Sequence, residues 1–164
     1  MDLLRLILLM AATLAMGLMA GTVAVFAHSI MPGLRRTDDR TFVGAFQAID
    51  RAIMNPWFLA GCFLGALVLT FGAAVAHVGR DAFAPSAVAF VLYLITFVIT
   101  LAVNVPLNET IQRAGDPDRI ADLAAVRSNF NEARWTSFNL VRLGMCLTSF
   151  GLLAWALALQ GRSP

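Results

Sequence analysis

The sequence predicts an all-α fold: a four-transmembrane-helix bundle with two additional helical loop segments on one membrane face. Three observations lead there. Hydrophobic residues make up 59% of the 164, and charged residues only 13%, about half the charged share of an average soluble domain. The apolar residues come in four long blocks instead of alternating at helix or strand period, and blocks of roughly 20 apolar residues cross a bilayer as helices. The connections between blocks are unequal, one short turn against two stretches each long enough to hold a helix. The same figures exclude a disordered chain, which is poor in apolar residues. They also exclude nucleic acid as a partner, because the net charge of +2 comes without a basic cluster.

The first span covers residues 3–27, enough to cross about 30 Å of hydrocarbon at about 1.5 Å per residue. It exceeds the h-region of a cleavable signal peptide, about 7–15 residues. The second span, 57–76, opens at Trp57 behind Pro56, where an amphipathic indole suits the membrane interface. The third, 87–103, follows the helix-start signal Pro85-Ser86, and the fourth is 140–159. One membrane domain over 1–164 accounts for all four. Cys62 and Cys146 lie inside apolar blocks and read as small buried hydrophobes. Gly17-xxx-Gly21 and Gly61-xxx-Gly65 let helix backbones approach closely in lipid. Packing within the bundle is the favoured use, and a homo-oligomer interface is the other.

Both long connections, 28–56 and 104–139, fall on the same side, here called the loop face. In the first, Phe42, Phe46, Ile49 and Ile53 recur at steps of four, three and four, which predicts a helix from Asp39 to Met54 with one apolar side. In the second, Asp116-Pro117-Asp118 supplies an N-cap and a proline at the first helical position. No glycine or proline follows before Gly144, so a helix from Pro117 is expected to run on into the fourth span. Eight arginines (35, 36, 40, 51, 113, 119, 127 and 134) lie on the loop face against Arg5, Arg80 and Arg162 on the other. The positive-inside rule then places the long loops in the cytoplasm and both termini outside.

Polar residues near span ends are costly unless they face protein or water, and they gather at the loop face. Asn104 and Asn108 flank Val105-Pro106-Leu107, four residues apart and on one helical face, with Pro106 favouring a bend. Trp135, Asn139 and Arg142 share a face at i, i+4, i+7. Arg142 lies inside the apolar boundary, where a guanidinium either finds an anion or wet pocket or snorkels to headgroups. The two histidines fall at opposite membrane faces, His28 on the loop face and His77 on the other, about 30 Å apart. A bis-histidine haem is therefore excluded, and His28 is either a general base or an interfacial side chain. No phosphate-cradling glycine loop, CxxC, HExxH or GxSxG pattern is present, so no metal or other cofactor is expected.

Taken together, Phe26-Ala27-His28-Ser29-Ile30-Met31-Pro32-Gly33-Leu34, the loop segment from Thr41 to Arg51 with Asn55-Pro56, Asn104-Val105-Pro106-Leu107-Asn108, and Arg134-Trp135 with Asn139 and Arg142 resemble the anthrone oxygenase-like family of small four-helix membrane proteins. The resemblance covers nearly the whole chain. It implies oxidation of an anthrone, a reduced tricyclic polyketide, to the quinone by molecular oxygen without metal or flavin, in a bacterial plasma membrane. Such chemistry needs a base, donors for a developing oxyanion and an apolar ring pocket. On this reading His28 is the base, with Asp50 and Glu109 as weaker candidates. Asn104, Asn108, Asn139 and Arg142 are the donors, and Phe42, Phe46, Gln47 and Trp135 bind the ring system. The rival reading is a non-enzymatic protein that binds an apolar small molecule, a lipid or a partner helix, with the asparagines serving as interhelical hydrogen bonds.

Overall fold

The computed structural model describes residues 2–161 and is all-helical, without a strand among them. Helix α1 (Asp2–Val25) and the short α2 (Met31–Leu34) belong to one span, Leu3–Leu34. Helix α3 (Asp39–Ile53) crosses the loop face; α4 (Leu64–Ala76) completes the span Trp57–Ala76. Helices α5 (Phe83–Ile99) and α6 (Val105–Arg113) form the third, Phe83–Arg113. Helices α7 (Leu123–Phe130) and α8 (Glu132–Gln160) make up the fourth, Leu123–Gln160. The spans form a square in which α1 packs on α4 and α8, and α5 packs on the same two.

Inside that square the chain places small and flexible residues: Ala12, Ala15, Met16, Met19, Ala20, Ala66, Ala73, Ala89 and Ala156 are buried. Large residues such as Leu14, Val68, Phe71, Leu147 and Trp155 point outward. This inversion of a soluble core fits helices that associate by close packing, since lipid is as apolar as leucine. Gly17 packs against the Phe150 ring of the fourth span, 3.0 Å from where a Cβ would sit, so this glycine serves packing within the chain. Gly65 has another reason to lack a side chain: the Ala60 carbonyl lies 2.7 Å from its would-be Cβ.

That carbonyl belongs to one of three widened helical turns, Phe26–Ile30, Trp57–Phe63 and Thr100–Asn104, each of π type and each at the loop-face end of its span. Two precede a proline by two residues, Pro32 and Pro106. A proline ring collides with the carbonyl four residues back, and a π turn relieves the collision without ending the helix. The bend expected at Pro106 is therefore absorbed inside a continuous span. For the same reason the first span runs on past the expected boundary at residue 27, through His28 and Pro32 to Leu34.

The helix expected to run unbroken from Pro117 is corrected. Pro117–Arg119 is a single 3-10 turn, and Ile120 is extended. Asp122 then starts α7 by accepting from the Ala125 N–H, and Asn131 separates α7 from α8. Asn131 adopts φ 52° and accepts from the Arg134 N–H, a left-handed conformation that asparagine tolerates better than most residues. The expected loop helix is present, one residue shorter at its end, with Asp38 as N-cap. It buries Phe42, Val43 and Phe46 with Met31, Ile111, Phe130 and Trp135 in a second core over the loop-face end of the bundle.

Candidate functional site: two polar layers under an aromatic cap

Ion pairs first fix the loop helices over the bundle. Arg127 of α7 donates to the Asp39 carboxylate at 2.9 Å and to the carbonyls of Thr37 and Arg35, while its guanidinium lies 4.3 Å from the Phe42 ring centre. Arg35 pairs with Glu132, and Arg40 with Asp118. Most of these pairs are exposed and individually weak; the cation–π contact and the carbonyl bonds make Arg127 the stronger tie.

Beneath them lies the outer polar layer. Asp50 of α3 accepts from the Asn108 amide at 2.6 Å and from Gln112 at 2.8 Å. Asn108 in turn accepts from the Trp135 indole N–H at 2.7 Å. Gln47 donates to the carbonyls of Ile111 and Gly115, and Gln112 also donates to the Gln47 carbonyl. Gln47 is thus a tie between α3 and α6. Phe42, Phe46, Phe130, Phe26 and Trp135 pack ring on ring, with centroid separations of 4.6 Å for Phe46–Phe130 and 6.0 Å for Phe46–Trp135. The rings expected to line a pocket are packed against one another as a closed cap.

The inner layer sits one to two turns deeper. Asn104 donates to the Trp135 carbonyl at 3.4 Å and Asn139 to the Val23 carbonyl at 3.2 Å. A backbone carbonyl can only accept, so each amide must turn its NH2 toward it. The oxygens Asn104 Oδ1 and Asn139 Oδ1 are left buried without a partner, as are Thr136 Oγ1 and Arg142 Nε. Each of these two amides, expected to donate to an oxyanion, spends an N–H on a backbone carbonyl and carries a buried acceptor oxygen without a partner. Arg142 is the donor of this layer: it is 8% exposed, and no described residue hydrogen-bonds to its guanidinium or pairs with it. Its electrostatic neighbours are Tyr93 and Cys146, and Tyr93 donates to the Phe63 carbonyl of the π turn in the second span. The side chain as a whole is buried in the bundle, with Nε enclosed and unpartnered.

His28 lies elsewhere. It is exposed on the π turn of the first span, with its Nδ1 2.6 Å from Ser29 Oγ, and it does not hydrogen-bond to either layer. His77 is fully buried at the opposite end, with Nδ1 on the Ala73 carbonyl. Glu109 is exposed and pairs with Arg113. Cys62 and Cys146 are buried and free. Sequence reasoning missed Gln112, Thr136 and Tyr93. Each had a signal: Gln112 is four residues from Asn108, Thr136 three from Asn139, and Tyr93 is the chain's one tyrosine, inside a span.

The architecture defines a class: a four-span membrane protein with an aromatic cap over a buried, unpaired cation and amides at one bundle end. Residues 45–152 match the family described as anthrone oxygenase, a stretch from α3 into α8 that holds every polar group of both layers, and the chain belongs to that family. No curated protein and no solved structure matches the chain.

Proposed function

We propose that the protein oxidises an anthrone-type polycyclic aromatic to its quinone with molecular oxygen at the inner polar layer, without a cofactor. The observation that carries this reading is Arg142, a cation buried in apolar surroundings with no anion of its own. An unpaired charge inside a membrane bundle is expensive and marks function by default. An enolate oxygen supplied by the substrate completes it.

The chemistry balances with oxygen alone. Loss of a proton from the methylene carbon of the anthrone gives an electron-rich anthrolate, whose oxyanion Arg142 stabilises. Oxygen adds at that carbon and the resulting hydroperoxide anion takes a proton. Removal of the second hydrogen with cleavage of the O–O bond expels water and leaves the carbonyl, so one oxygen molecule gives one quinone and one water. Asn104 Oδ1, Asn139 Oδ1 and Thr136 Oγ1 accept from hydroxyl groups on the ring system. The first proton goes to solvent or to His28 at the exposed end of the first span.

Purified protein in nanodiscs should consume oxygen and anthrone one to one, faster than the spontaneous reaction. Arg142→Leu is expected to lower the catalysed rate by about 10²–10³, as loss of an oxyanion donor does elsewhere. A parent protein no faster than the background removes the assignment. A second reading, an apolar-ligand binder without turnover, draws on the closed ring cap and predicts saturable binding without oxygen uptake. We also place the protein in a bacterial plasma membrane with its long loops in the cytoplasm, from the arginine excess there. Arg36→Cys and Asp81→Cys, labelled from outside intact cells, test this: reaction at position 81 alone agrees, and at 36 alone reverses it.

A further inference from the structure

The paired asparagines have a purpose that neither catalysis nor general bundle packing explains: they hold one residue, Trp135, at two points. Asn104 takes its backbone carbonyl and Asn108 its indole N–H. The indole is 4% exposed and touches Phe26, Phe46 and Phe130. The next residue on the same helix, Thr136, already belongs to the inner layer. Trp135 therefore joins the two layers, its ring in the aromatic cap and its backbone carbonyl bonded to Asn104 of the inner layer.

The direction of the bonds shows what sets that placement. The indole N–H can only donate and a carboxylate can only accept, so the residue between them must accept on one side and donate on the other. Asn108 does so, with Oδ1 toward Trp135 and Nδ2 toward Asp50. Without an acceptor at position 50 nothing holds the amide in that orientation, and an NH2 turned toward the indole would set donor against donor. Asp50 has its second oxygen on Gln112, so both carboxylate oxygens are committed to amides of α6, which argues against its use as a base.

We propose that Asp50 is a positioning residue which, acting through Asn108, holds Trp135 as the wall that closes the inner layer from the loop face. The proposal rests on the functional reading only for its kinetic consequence; the placement of Trp135 is tested without substrate. In a Trp57→Phe, Trp155→Phe background, where both removed rings are exposed on the outer surface, Trp135 is the one remaining tryptophan, and its quenching by aqueous acrylamide reports the partition. Asn108→Asp sets two carboxylates against each other and should raise the quenching constant about threefold or more. Adding Asp50→Asn to it restores an amide beside a carboxylate, now with reversed order, and should return quenching to within about a third of the background protein, because groups in one network couple non-additively. Asp50→Asn alone leaves one acceptor for two amide donors and should raise quenching, but by less than Asn108→Asp does. Failure of the double variant to restore protection, with its helical circular dichroism intact, overturns the proposal. So does an Asn108→Asp variant that is folded and as protected as its parent. With an anthrone substrate, Asn108→Asp should raise KM several-fold more than it lowers kcat, and the double variant should recover it. If no protein in the series turns anthrone over while the quenching pattern holds, Asp50 keeps its positioning role and only the oxygenase reading fails.

Discussion

The two polar layers differ in one respect that decides how each is read. In the outer layer Asp50, Asn108, Gln112 and the Trp135 indole use one another, and Gln47 Oε1 is the buried side-chain atom there without a partner. In the inner layer every polar side chain, Asn104, Thr136, Asn139 and Arg142, keeps an atom unpaired. Leaving such atoms buried costs about 1–3 kcal/mol each, more for a charge. A satisfied network rigidifies a fold, and each buried unpartnered atom needs an explanation in strain, water, an ion or a ligand. The contrast teaches that polar residues clustered at one end of a membrane bundle differ in their accounting of hydrogen bonds, and not by residue type, since asparagine occurs in both layers.

Substitutions can break that contrast or sharpen it. The largest loss is expected in the cap: Phe46→Ala should destabilise the protein by about 3–5 kcal/mol, as for other fully buried phenylalanines, measured by reversible unfolding in detergent. Asn108→Leu comes next. It strands the Trp135 N–H and one Asp50 oxygen, and should cost about 2 kcal/mol. Arg142→Leu marks the division between the layers. Removing an unpaired buried charge should leave stability within about 1 kcal/mol of the parent or raise it, while the proposed anthrone oxidation falls by about 10²–10³. A strongly destabilised Arg142→Leu would place that arginine in the scaffold after all. The smallest effect belongs to Asp38, an exposed helix cap. The backbone N–H and hydroxyl of Thr41 hold its carboxyl below the usual carboxylate range. A lowered folded-state value means the contribution is complete above the unfolded value, about 3.9, and fades as pH falls through the lowered one. Asp38→Ala should lower stability slightly at neutral pH, with the difference from the parent shrinking as pH falls along the acid limb of the profile.

Much of this was legible beforehand. Phe42 and Phe46 announced a loop helix by their spacing, and both are buried on its inner side. Arg142 stood out because a charge within an apolar block has few inexpensive places to go. The break between α7 and α8 has no glycine or proline to mark it; Asp122 and Asn131 begin α7 and α8 by side-chain caps, and both residue types are also common within loops. The sequence marks the asparagines but not the direction of their hydrogen bonds. Whether an amide offers N–H or C=O depends on which backbone carbonyl faces it, and Val23 lies 116 residues from Asn139.

Composition and block length alone determined that this chain crosses a membrane four times, because hydrocarbon thickness and helical rise leave no other use for such blocks. They also placed the polar residues at one end, since a position along a span is a depth in the bilayer. Only the tertiary structure decided which of those residues are spent on each other. Hydrogen bonds are directional and short, so a shift of one residue in helical register, such as the π turn ahead of Pro106 produces, determines which side chains of the third span face Trp135.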